Sequence, residues 1–208
     1  FAVWFFKTGV HENALQTWDH KFTGIEQDTL AGFPGWHIEC SAMSKATLGD
    51  ILDIHIGGVE HIQVHHTNEI AQSECANGVK FVNYWLHHEM LEIDGGKMAK
   101  SKGNIYTLDD LINKGYDPLV LRYFFLLAHY RSKQNFTFGA LDAANIAYQR
   151  LVKSLRSLKN GRTGKVNGEY KARFNSALED DINITKALSV AWDILKDRNL
   201  SSEDITAT

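Results

Sequence analysis

"ILDIHIGG", residues 51–58, is a run of isoleucine and leucine that ends in two glycines. Such β-branched composition favours an extended backbone, so the run is expected to be a strand. Its terminal glycines let a ligand approach the chain closely. Just beyond, "VHHTNEIAQSECANG" predicts a helix from about Val64 to Ala76, stopped by Asn77-Gly78. "FVNYWLHHEMLEID" then supplies strand material around Leu86 to Ile93. Strand, helix and strand at this spacing make a βαβ unit with a parallel sheet.

The pattern extends in both directions. Upstream, "FAVWFFK" reads as a buried strand and residues 11 to 29 as loop. "GFPGWHIECSAMSKATLG" opens with turn chemistry and becomes a helix carrying Ile38, Met43 and Leu48, ending at Gly49. Downstream, "GGKMAKSKGN" (95–104) is a glycine- and lysine-rich loop. Thr107 is an N-cap with Asp110 three residues on, and Asp117-Pro118 starts another helix. A long helix follows on Leu141, Ile146, Leu151, Leu155 and Leu158. "KNGRTGKVNG" is a polar break, and helices are expected near 168–180 and 184–197. Strands therefore alternate with helices to about residue 104, and everything after is expected to be helical.

The bulk numbers fit a soluble globular protein, long enough for one domain and part of a second. The 208 residues carry a formal net charge of −3, with 44% hydrophobic and 23% charged residues. No apolar run approaches the roughly 18 residues of a membrane span, and no secretory leader is visible. Two cysteines, Cys40 and Cys75, are too few for a disulfide framework and point to a reducing compartment. The near-neutral balance offers nucleic acid no whole-molecule attraction. The basic stretch with Arg150, Lys153, Arg156, Lys159, Arg162 and Lys165 reads first as a solvated helix face, and second as a local nucleic-acid contact. The chain opens at Phe1 inside an apolar run, as expected for the middle of a longer protein.

Three groups of residues carry chemistry. Glu60, after the two glycines, is placed to accept hydrogen bonds from a ribose; the alternative is a plain strand-to-helix turn. Cys40, His65 and Glu69 offer thiolate, imidazole and carboxylate, which suit zinc; the alternative is an ordinary surface or core His-x-x-x-Glu pair. His65 and Glu69 share a helix face because they are four apart. His61 also falls on that spacing but sits close to the glycine turn. His66 lies about 100° round the helix from His65, so it is expected to face away from the metal, and Cys75 to be an ordinary helix residue. Lys97 and Lys100, in a glycine-flanked loop, can reach phosphate oxygens; the alternative is a solvated loop.

Together, "GWHIECSAM", "DIHIGG", "HHTNEIAQSE" and "KMAKSKGN", in this order and at these intervals, closely resemble the cysteinyl-tRNA synthetase family of class I aminoacyl-tRNA synthetases. "KMAKS" is similar to the class I "KMSKS" signature, and "HYRS" (129–132) and the opening "FAVW" also fit. The resemblance spans essentially the whole chain. It implies an α/β fold, part of a Rossmann-type, nucleotidyl transferase-like sheet followed by an all-helical region. Residues 1–104 are expected to be the C-terminal half of the catalytic domain, 105–160 a helical, stem-contact-like connection, and 161–208 the start of a helical C-terminal domain. The first half, with the "HIGH" signature and the first cysteine ligand of the zinc, is expected to lie outside the chain.

By the same resemblance, Cys40, His65 and Glu69 are three of four zinc ligands, and the zinc binds the thiolate of substrate cysteine. Trp36 and His55 match residues of the amino-acid pocket. Gly57, Gly58 and Glu60 match the adenosine-binding turn, with Glu60 where the family pattern has Asp. Lys100 matches the signature lysine, Lys97 is its partner, and Ala99 replaces the usual serine. The implied reaction is ATP-dependent attachment of cysteine to tRNA-Cys through cysteinyl-adenylate, with Mg2+ accompanying ATP, in the cytoplasm. Two rivals stand beside it: the cysteine ligase of mycothiol synthesis, with an amino-sugar acceptor, and a non-catalytic zinc or nucleotide-binding module. The fragment alone is expected to be inactive, to bind zinc weakly, and to cover its open sheet by self-association.

Overall fold

A computed structural model describes residues 2–158 and 164–208, in two compact units, Phe1–His88 and Glu89–Thr208. Lys159 and Arg162 of the basic stretch, and the first half of the polar break (159–163), lie outside the described residues. Arg150, Lys153 and Arg156 are exposed along one helix, as a solvated face requires.

In the first unit, β1 (Trp4–Phe6) pairs antiparallel with β3 (Ala31–Pro34), which also pairs antiparallel with β2 (Trp18–Asp19). The opening strand is half-buried, not buried as its composition suggests; its rings pack on neighbouring segments, Phe5 on Phe33 of β3 at 5.3 Å between centroids. Helix α1 (Trp36–Leu48) follows. The quoted octet is strand β4 (Leu52–Gly58), and helix α2 (His65–Asn77) returns the chain to β5 (Val82–His88). β4 and β5 are parallel, with Leu52 opposite Val82 and Gly58 opposite His88. Gly78 ends α2 at φ 69°, the left-handed conformation that glycine adopts without strain. The apolar interior here is small: Leu52, Phe81 and Val82, with Trp85 against them.

In the second unit, β6 (Leu91–Ile93) and β7 (Gly96–Lys97) form a hairpin. Its turn residues Asp94 and Gly95 both have positive φ, as a two-residue hairpin turn demands. Helix α3 (Leu108–Asn113) starts at Thr107, whose side chain and that of Asp110 cap each other's backbone N–H. Helix α4 (Pro118–Leu126) starts from the Asp117 cap. The region past residue 104 is not wholly helical. "QNF" forms strand β8 (Gln134–Phe136), parallel to β6, because β6 offers it a free edge. Helices α5 (Phe138–Ser157), α6 (Gly168–Glu179), α7 (Ile184–Lys196) and a short α8 (Ser202–Ala207) complete the unit. Its core gathers Ile93, Leu111, Val120, Tyr123, Phe124, Phe136, Leu141 and Ala144.

Candidate functional site

Helix α2 carries the site. It is polar on two sides, and both are covered. One side meets α1: His65 Nδ1 lies 2.8 Å from His37 Nδ1, and Ser41 Oγ bonds Gln72. The other meets the β4–β5 sheet: His66 Nδ1 lies 2.7 Å from His87 Nε2, and Glu69 Oε2 lies 2.9 Å from His55 Nε2. Glu69 sits between the two sides and is fully buried. Its Oε1 is 3.5 Å from His65 Nε2 and has no hydrogen-bond partner.

The donor atoms of Cys40, His65 and Glu69 lie within 4.8 Å of one another. Cys40 comes from α1, and the other two come from one face of α2. Thiolate, imidazole and carboxylate are the ligand types zinc takes, and a buried carboxylate oxygen without a partner is what a cation would satisfy. These residues fit the ion.

His66 lies on the sheet side of α2, outside the Cys40, His65 and Glu69 group, and it is not exposed. It is buried, and its Nε2 is 3.9 Å from Glu69 Oε2. The 100° step from His65 turns it toward the sheet instead of toward water. Burial, reinforced by the neighbouring rings of His55, His87, His61 and His65, lowers its pKa to about 4, so it is a neutral imidazole. Burial likewise pulls His37 down, with His65 next in effect. Burial pushes the Cys40 thiol up, helped by Glu69 and Glu39. A metal would reverse that last shift by taking the thiolate. Cys75 is an exposed helix residue, as expected.

Around the cluster, Trp36 is exposed at the start of α1, its ring 4.9 Å from that of His37. His55 stacks on Trp85 at 4.8 Å. Gly57 is needed for space: a Cβ there would come within 2.4 Å of the His66 ring and 2.8 Å of His61 Nδ1. Beside it, the Glu60 carboxylate folds over Gly58, into the place a Cβ would occupy. In the second unit, Lys97 ends β7 and Lys100 lies in the turn that follows, both exposed. Asn104 braces that loop, accepting from Ala99 N and donating to Lys97 O. Sequence reasoning passed over Asn104, His37 and His87. Only the "KGN" that closes the lysine loop hinted at the first.

The family of the tRNA synthetases class I (C) catalytic domain matches residues 17–146. The chain belongs to that family. Among curated proteins it is 43% identical over 209 residues to cysteine--tRNA ligase 1 of Burkholderia lata, covering 100% of this chain and 42% of that one. It is 47% identical over 175 residues to the cysteine--tRNA ligase of Actinobacillus pleuropneumoniae serotype 3, covering 84% of this chain and 38% of the relative. The chain thus spans about two fifths of the length of these relatives. Among solved structures, the LeuRS of Agrobacterium radiobacter K84, in a ternary complex with tRNA and LeuAMS, matches with a TM-score of 0.57. That match has 14% identity over 74% of this chain and 24% of the other, and shows a shared fold. Among the described residues, no helix is long and apolar enough to cross a membrane.

Proposed function

We propose that this chain forms the amino-acid-selecting part of a cysteine–tRNA ligase, an enzyme that joins cysteine to tRNA-Cys through cysteinyl-adenylate in the cytoplasm. The observation that carries this reading is the approach of Cys40, His65 and Glu69 to within 4.8 Å around a buried, unpartnered carboxylate oxygen. Zinc held there would favour the thiolate of cysteine over the hydroxyl of serine, so selection needs no second site. His37 and His55 orient the ligands His65 and Glu69 through their second atoms. Trp36 and His55 line the amino-acid pocket. Gly57, Gly58 and Glu60 receive the adenosine, with the Glu60 carboxylate as acceptor for the ribose. Lys97 and Lys100 supply fixed positive charge as pyrophosphate leaves ATP, which Mg2+ accompanies. The spans 1–104, 105–160 and 161–208 serve as catalytic half-domain, stem-contact-like connection and start of the helical C-terminal domain.

The test uses the intact protein. It should charge tRNA-Cys, and Cys40→Ala should lose stoichiometric zinc by metal analysis and raise the KM for cysteine while leaving that for ATP unchanged. Charging of an amino sugar with tRNA-Cys left untouched would replace this reading with the mycothiol one. The 208 residues alone should give no cysteine-dependent pyrophosphate exchange and should bind zinc weakly and self-associate. Exchange at protein-dependent rates, tight zinc or a clean monomer by light scattering would refute the respective statement.

A further inference from the structure

The two carboxylate oxygens of Glu69 look into different sets of donors. Oε1 lies 3.5 Å from Nε2 of His65. Oε2 lies 2.9 Å from Nε2 of His55 and 3.9 Å from Nε2 of His66. The donor atoms of His55, His66 and Glu69 are also within 4.8 Å of one another, as close as the first set. We propose that His55, His66 and Glu69 form a second divalent-cation site, joined to the first by Glu69 as a bridging carboxylate.

Several features favour a cation here over a simple hydrogen-bonded cluster. His66 uses Nδ1 on His87, which leaves Nε2 for a metal and fixes the ring. Trp85 stacks on His55 and fixes that ring too. His61 Nδ1 is buried without a hydrogen-bond partner, a costly state for a polar atom. It lies 2.8 Å from the position a Gly57 Cβ would take, and so does His66 Nε2. Glycine at 57 therefore keeps open a space that His61 or a water can use as a fourth ligand. Glu69 is fully buried, and its ion-pair partners among the described residues are histidines only. Buried carboxylates are paired or coordinate metals.

The donors are two imidazoles and a carboxylate, without thiolate. Such a set takes borderline ions such as Zn2+, Co2+ and Ni2+. It should fill after the first site, where thiolate adds affinity. The proposal shares Glu69 with the reading above but does not need its reaction.

Cobalt is the probe. Co2+ is added anaerobically to the metal-free intact protein and followed by equilibrium dialysis and absorption. Relative to wild type, Cys40→Ser should lose one equivalent and the thiolate-to-cobalt charge-transfer band. The double variant His55→Gln/His66→Gln should lose one equivalent and keep the band. Anomalous diffraction on wild-type crystals with Co2+, which depends on no variant folding, should show two peaks about 3.5–4 Å apart on either side of Glu69. A single peak at Cys40, His65 and Glu69 at saturating Co2+, or an unchanged stoichiometry in the double variant, overturns the second site. A single peak at His55 and His66 upholds it and sinks the zinc reading. Absence of both peaks overturns both.

Discussion

The two units bury different chemistry. The buried polar side chains, among the described residues, are His37, His66, Asn68, Glu69 and Ser73, and all lie in the first unit. Beside them, among the described residues of that unit, the buried apolar side chains are Leu52, Phe81 and Val82. The second unit buries aliphatic and aromatic groups: Val120 and Leu141 are wholly inaccessible, and Phe124 and Phe136 nearly so. Apolar burial drives folding in proportion to area, whereas a buried donor contributes little net stability once hydrogen-bonded. The second unit is therefore stabilised by its own interior. The first holds a buried polar cluster, whose stability a bound cation would raise by mass action.

The contrast can be broken in three ways. The largest effect is expected in the second unit. Phe124→Ala should cost about 3–5 kcal/mol by denaturant unfolding, as large-to-small core changes do, with metal content unchanged. Loss of metal in that variant would show that the units are not separable in this way.

The next effect belongs to the first unit and depends on pH. His66 titrates near 4 when folded, against an ordinary 6.5. The unfolded chain therefore binds the proton first as pH falls. Stability from neutral His66 is complete above 6.5, is lost between 6.5 and 4, and changes no further below that. The shift corresponds to about 3 kcal/mol. Unfolding of the metal-free protein from pH 7 down to pH 4 should show that fall, and His66→Gln should remove most of it. An equally steep fall in the variant would assign it to other groups.

The smallest effect has an unusual sign. Glu69→Gln removes a buried charge but keeps an acceptor for His55. The metal-free protein should then gain about 1 kcal/mol, and the variant offered zinc should bind less of it than the wild type. A loss of several kcal/mol would mean that the charge, not only the hydrogen bond, holds the metal-free unit together.

Much of this was legible in the sequence. The bounds of α2 followed from its glycine stop, and those of α1 from turn residues before it. His65 and Glu69 share a face by helical spacing alone, and the structure brings Cys40 to them. Helical spacing put His66 away from the Cys40, His65 and Glu69 group, but it did not show what His66 meets: α2 packs on α1 by one side and on the sheet by another, so a second polar stripe is also interior. Strand β8 was invisible because three residues of mixed polarity have no period; β6, more than forty positions earlier, makes them a strand. His37 carried no pattern, since its partner His65 is on another helix.

That last contact sets a condition on a single proton. Two imidazole Nδ1 atoms 2.8 Å apart share one hydrogen, so one ring donates and the other accepts. With His65 as donor, its Nε2 is left with a lone pair, directed at the space beside Cys40 and Glu69. With His37 as donor, the His65 hydrogen moves to Nε2 and blocks that space. The proton placement in this one contact, one residue after Trp36, thus decides whether His65 Nε2 carries a lone pair, and the 15N shifts of the two rings report it.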